Sequence, residues 1–319
     1  MTAVQPTSEL AGIIGHTRTG DRYAQCIGVS KPMRWDIERD IVPGSKFNAS
    51  KTFLRDGRSG IERLPFLDAG ERRLANQIQS RTFANIFGLV ERFIAAKVLD
   101  LSRSHQPGNR VALEALARLG EALEQQEMFR RIERMAAAGM AEGYAFLPEQ
   151  DAVASVVLSK SMWAVLALIC HIELVVLAHH RESIDADPNL SARCKDVFLD
   201  HWHEESKHAM HAELEWMRED ARVTVEQRDG AVGELIELLV AVHGILQIQS
   251  QLDADYFLRS CWRTFSRDQT ERIRAGMRDA YRSQYIISGV AGQFGEVLGR
   301  FVTPVQHERI CNAFAPILS

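Results

Sequence analysis

Between residues 199 and 217 the chain reads LDHWHEESKHAMHAELEWM, and positions 201 to 211 hold four histidines and two adjacent glutamates. On the 3.6-residue turn of an α-helix, His201, Glu205 and His208 share one face at i, i+4 and i+7. Glu204 and His211 flank that face, and His203 points away. An imidazole, a carboxylate and a second imidazole stacked over two turns are donors suited to iron, manganese or zinc. The same residue types also decorate solvated helices, where they pair with one another.

Glu173 separates these readings. It interrupts the apolar run LALICHIELVVLA, with Leu166, Cys170, Val176 and Leu177 on its own face. An ionised carboxylate there costs several kcal/mol unless it is paired or bound to a cation. The run offers no Lys or Arg beside it, so histidines of the following helix, or a metal they share, are the available partners; a buried salt bridge is the alternative. Glu91 presents a similar case in NIFGLVERFIAAKVLDL, beside Arg92. Helical bundles that hold two metals supply one Glu from each of two helices and a Glu-x-x-His from each of the other two. Glu91, Glu173 and Glu205-x-x-His208 provide four of those six ligands in chain order.

These side chains need long helices to position them. Residues 1–65 mix glycines, prolines and charges without a sustained period and read as an irregular N-terminal segment wrapped on a helical domain, residues 66–319. Apolar spacing and break signals predict helices over about 68–102, 109–138, 151–182, 190–220, 229–265, 267–285 and 304–317. HQPGN, GMAEGYAFLPEQ and DADPNL form the breaks. No alternating β-branched run argues for a sheet. The expected class is all-α, a four-helix bundle with additional C-terminal helices, in which a long helix, a break and a long helix occur twice.

The bulk composition narrows the function classes. A chain of 319 residues with 46 % hydrophobic and 25 % charged residues can bury a sizeable core. The formal net charge of −4 gives no global field for nucleic acid or anionic membrane. Five scattered cysteines without a CxxC pair point to reduced thiols and a cytoplasmic location. The first residues lack the pattern of a signal peptide. Residues 162–178 are apolar enough to raise the membrane question, but His171 and Glu173 at their middle favour a core helix. GVAGQFG (289–295) is not a dinucleotide fingerprint, and no GxSxG, P-loop or HExxH occurs.

The string HIELVVLAHHRESI…FLDHWHEESKHAMHAELEW resembles the ferritin-like diiron-carboxylate superfamily, which includes ribonucleotide reductase small subunits and bacterial multicomponent monooxygenases. His201, four residues before Glu205, is similar to the third histidine of the para-aminobenzoate N-oxygenase branch, and YRSQYIISGV is compatible with that branch. The resemblance spans about residues 60–310 and is specific mainly in the third and fourth helices. It implies a ferritin-like four-helix bundle and a non-haem, O2-dependent monooxygenase, with N-oxygenation of an amine as the first reading. It also implies iron as cofactor, two per chain or one if the first position is lost, with manganese as a substitute. A small-molecule substrate, O2, an electron donor protein or reductant, and a homodimer complete the expectation. A radical-generating reductase subunit fits less well, because Phe129 stands where its tyrosine is placed, counting from Gln125.

The second helix departs from the family pattern, since residues 109–142 contain no histidine. Anchoring on QEMFRR puts Ala122 and Gln125 at the ligand places. The 32-residue spacing from Glu173 to Glu205, added to 91, lands instead at 123, between Glu121 and Glu124. Glu127 is a third candidate, projecting with Leu116 and Leu123. The candidate metal set is therefore Glu91, Glu124, Glu173, His201, Glu205 and His208. Three outcomes stay open. A carboxylate of the second helix rebuilds a two-metal centre, or one metal sits on Glu173, His201, Glu205 and His208, or the groups hydrogen-bond together without metal. The last describes a metal-degenerate ferritin-like binding or structural protein without redox activity.

Overall fold

Asp68 closes the N-terminal segment by capping the helix that follows. Its side chain accepts from Glu71 N, and the Glu71 side chain accepts from Asp68 N, which satisfies two orphan donors at once. The computed structural model describes residues 19–30, 46–53, 60, 63–105, 108–119, 122–147, 149–183, 208–287 and 293–318. They form α1 (Thr19–Ser30), α2 (Ala69–Ser104), α3 (Arg110–Leu119), α4 (Ala122–Ala137), α5 (Gln150–Leu158) and α6 (Met162–Ser183). Next come α7 (residues 208–220), α8 (Val225–Ser260), α9 (Arg267–Arg282), α10 (Gln293–Leu298) and α11 (Pro304–Leu318). A π-helical turn, Ser283–Ile287, continues α9. The class is all-α, with no strand among the described residues.

Three elements differ from the sequence expectation. The wrapping segment contains a helix, α1, whose Tyr23, Cys26 and Ile27 bury against Ala112, Ala115 and Leu214. A stripe of only two turns is too short to register as a period. The helix expected over 151–182 is two, because Ser159 folds its hydroxyl back onto Val156 O and Ser161 N turns away to the Glu234 carboxylate. The helix expected over 109–138 likewise divides into α3 and α4.

Side-chain contacts fix the register between helices. On α2 and α4, Arg81 meets Glu133 at 2.7 Å, Phe87 lies against Phe129 and Gln126 reaches Glu91 O, so the two run antiparallel. On α6 and α7, Trp163 packs edge-on to Trp216 and donates to Asp220 at 2.8 Å, while Cys170 feels the charge of Glu213. That pair is antiparallel too. On α2 and α8, Glu71 binds Arg263 and Thr82 binds Asp253, again antiparallel. Lys160 and Ser161, just before α6, bind Glu237 and Glu234 near the start of α8.

Helix α8 is long and apolar enough, by length and composition, to cross a membrane, which the sequence reading attached to 162–178 instead. It packs along α2, α6, α9 and α11 and carries the buried polar residues Gln249 and Asp253.

Candidate metal centre

The ladders above set the height of each candidate ligand. Glu234 lies nineteen residues before Asp253 on α8, so about 28 Å from the height of Thr82 toward the C-terminal end of α2. Ser161 starts there, and α6 runs back until His171 bonds the backbone of Tyr285, whose ring lies near Phe83 of α2. Glu173, twelve residues or about 18 Å beyond Ser161, therefore comes within about one turn of the height of Glu91. Across α6, the Trp163–Asp220 hydrogen bond and the Trp163–Trp216 ring contact set an antiparallel register that brings His208 near that same height.

All three side chains face inward. Glu91 and Glu173 are each 1 % exposed and His208 is 4 % exposed. Each takes part in at least one polar, ring or electrostatic interaction. The surroundings are apolar: Phe87, Val90, Leu174 and Val176 are buried nearby in sequence on the same helices, and Phe129 of α4 lies against Phe87. His201 and Glu205 lie outside the described residues, and so does Glu121. Among the described residues, no three His, Cys, Asp or Glu side chains close into a metal-holding group, so Glu91, Glu173 and His208 do not form one by themselves.

The described part of the second helix holds Glu124, Gln125 and Glu127. Gln125 is 0 % exposed, whereas Glu124 is exposed on the outer face of α4. Glu127 accepts from Arg130 at 2.6 Å and Arg131 at 2.9 Å, and these pairs hold its carboxyl below the ordinary range although partial burial pushes it up. It lines a half-open cavity of about 320 Å³ with Gly88, Arg92, Gln126, Phe129 and Arg130. One step along a helix turns a side chain by about 100°, so Gln125 shares a face with neither Glu124 nor Glu127, which stand about 100° and 200° from it.

Two buried clusters escaped the sequence reading. The first continues the α7 face beyond the histidines. Glu215, at i+7 from His208, accepts from Tyr23 OH at 2.6 Å and Arg218 at 2.9 Å, and lies 2.9 Å from His105 Nε2. Burial raises its carboxyl, but Tyr23, His211, His105 and Arg218 together hold it below the ordinary range. His211, expected on the flank, is buried, and burial pushes its imidazole down to about 4. Extending the i, i+4, i+7 pattern by two turns would have found Glu215.

The second cluster lies about 14 Å along α2 from Glu91, near Thr82. Asp253 accepts from Thr82 Oγ1 at 2.6 Å, from Gln249 at 2.9 Å and from the Tyr281 hydroxyl. Thr82 also meets Tyr144 OH at 2.8 Å. Burial drives the Asp253 carboxyl up to about 7 against the lowering pull of those hydrogen bonds. An aspartate following three glutamines and a serine, in QIQSQLDAD, gave no sign of burial, because two of its three donors, Thr82 and Tyr281, come from other helices.

Comparison with family models, curated proteins and solved structures finds no match to this chain.

Proposed function

We propose that the chain is a non-haem, metal-dependent oxygenase of the ferritin-like type, built on α2, α4, α6 and α7 as a four-helix bundle with α8–α11 added. Its first reading is N-oxygenation of a small amine. The observation that carries this is the near-complete burial of Glu91, Glu173 and His208 on three helices, at similar heights along an apolar interior. Carboxylate and neutral imidazole donors suit iron or manganese, and an anion inside such an interior is stabilised by a cation. Glu173 and His208 would hold the ion together with His201 and Glu205.

Bound iron supplies the electron chemistry that activates O2. The chain supplies the rest. Glu173 and His208 fix the ligand directions from antiparallel helices, and the buried Phe87, Phe129 and Val176 keep water away. Electrons come from a donor protein or small reductant, and a homodimer is the working assembly.

The test is iron and manganese analysis of full-length protein from supplemented cells, followed by O2 consumption with a reductant and a panel of amines. Wild type retains metal and His208→Ala loses it. A wild-type protein that neither retains nor takes up metal ends this reading. A second reading, a metal-degenerate ferritin-like binding protein, is favoured by Gln125, a neutral amide where the two-metal pattern has a charged or imidazole ligand.

A further inference from the structure

Asp253 of α8 is fully buried and makes no ion pair among the described residues. Its oxygens accept from Thr82 of α2, Tyr281 of α9 and Gln249 of its own helix. Further titratable groups in electrostatic range are Arg81, bound to Glu133 at 2.7 Å, and the hydroxyls of Tyr144 and Tyr285.

The Thr82 hydroxyl links this acid to the outside. It lies 2.6 Å from Asp253 Oδ2 and 2.8 Å from the Tyr144 hydroxyl. An ionised carboxylate only accepts, so the single Thr82 hydrogen points to Asp253 and the Tyr144 hydrogen points to Thr82. Thr82, Asp253 and Tyr281 are fully buried whereas Tyr144 is half-buried, so this row of hydroxyls reaches solvent at Tyr144. Gln249 fixes that entrance: its Nε2 donates to Ala145 O and its Oε1 accepts from Leu147 N, both at 3.0 Å. The Arg81 guanidinium lies 4.0 Å over the Tyr144 ring.

We infer that Tyr144 and Thr82 form a proton relay that connects solvent to a buried proton-binding site at Asp253. In one concerted shift, hydronium gives a proton to Tyr144 Oη, the phenolic hydrogen passes to Thr82 Oγ1, and the Thr82 hydrogen passes to Asp253 Oδ2. Each oxygen in the row gains one O–H bond as its donor loses one. Hydronium becomes water and the carboxylate becomes a neutral acid. Afterwards Asp253 donates to Thr82 and Thr82 to Tyr144, so the row satisfies both charge states without moving a heavy atom. Burial pushes this carboxyl up to about 7, so the site fills and empties near neutral pH. The site does not depend on the metal reading above.

The test is infrared difference spectroscopy of the full-length chain between about pH 5 and about pH 9, with the filling rate read after a rapid pH jump. Wild type shows the carbonyl band of a buried protonated carboxylic acid, titrating with a midpoint of about 7, and Asp253→Asn lacks it. Tyr144→Phe keeps its ring under Arg81 and beside Tyr256, which guards against a folding failure. It leaves the midpoint in place and fills the site at least about tenfold more slowly. Thr82→Val is slowed in the same way, and Thr82→Ser, which keeps the hydroxyl, is not. Absence of the band from folded wild type, or its survival in Asp253→Asn, overturns the buried site. Slowing of less than about tenfold in Tyr144→Phe overturns the relay, because protons then reach Asp253 by another route.

Discussion

The side-chain amide of Gln126 donates to the backbone carbonyl of Glu91 at 3.3 Å, which ties the rotation of α4 to the helix bearing a candidate ligand. Next to that tie on α4, Gln125 is fully buried while Glu124 is exposed. Glu124 should therefore be dispensable. Glu124→Ala is expected to leave both metal content and stability unchanged, within about 0.5 kcal/mol, as for other exposed substitutions. Metal analysis and urea unfolding of this variant check it, and loss of metal would put Glu124 back in the ligand set.

Glu173 should behave oppositely in the two states of the protein. In the metal-loaded protein, Glu173→Leu loses the ion and the stability that binding contributes. In chelator-treated protein the same change removes a buried carboxylate and is neutral or stabilising. Melting curves with and without chelator separate the cases. Equal destabilisation in both would show that Glu173 is held by protein groups alone.

Asp253 predicts a pH dependence. Its carboxyl ionises near 4 when unfolded and, driven by burial, at about 7 when folded. The folded protein binds this proton more tightly, so the contribution to stability is complete below about pH 4 and is lost as pH rises through 7. Three units correspond to roughly 4 kcal/mol as an upper bound. Asp253→Asn should flatten this slope, so urea midpoints of the two proteins converge or diverge mainly between pH 4 and 7. Parallel profiles would assign the slope to other groups.

The N-terminal helix is held by Glu215. Tyr23→Phe removes a 2.6 Å hydrogen bond to that buried carboxylate, a loss of about 1.5–3 kcal/mol for a bond to a charged group. Limited proteolysis should then cut within residues 19–30 well before the rest of the chain. Unchanged protection would mean that Cys26 and Ile27 packing alone secures α1.

The α6–α7 pair turns on two tryptophans. Trp163→Phe loses the bond to Asp220 but keeps a ring against Trp216, and should cost about 1–2 kcal/mol. Trp163→Ala opens a cavity and should cost about 3–5 kcal/mol. Because these contacts set the height of Glu173 against His208, the alanine variant should also weaken metal binding, which dialysis measures.

Helices were legible because their signals are local: Asp68 and Glu71 form a cap within three residues, and the apolar period of 162–178 repeats every turn. Glu173 was legible as a buried acid for the same reason, since its apolar neighbours are its own helix. The split at Ser159–Ser161 was not, because Glu234, which receives the Ser161 amide, is more than seventy residues away. Asp253 and Glu215 stayed hidden for a like reason: beside one local donor each, Thr82 and Tyr281 reach Asp253, and Tyr23 reaches Glu215, from elements that meet only on folding.

The sequence by itself determined an all-α chain and the acid at 173 buried in an apolar helix, and it suggested the imidazole and carboxylate ligand types at 201–208, most of which lie outside the described residues. Only the tertiary structure decided that Gln125 and not Glu124 turns inward beside Glu91. A one-residue shift along α4 rotates the face by about 100°, and the contacts that choose the rotation, Gln126 to Glu91 and Arg81 to Glu133, join residues 35 and 52 positions apart.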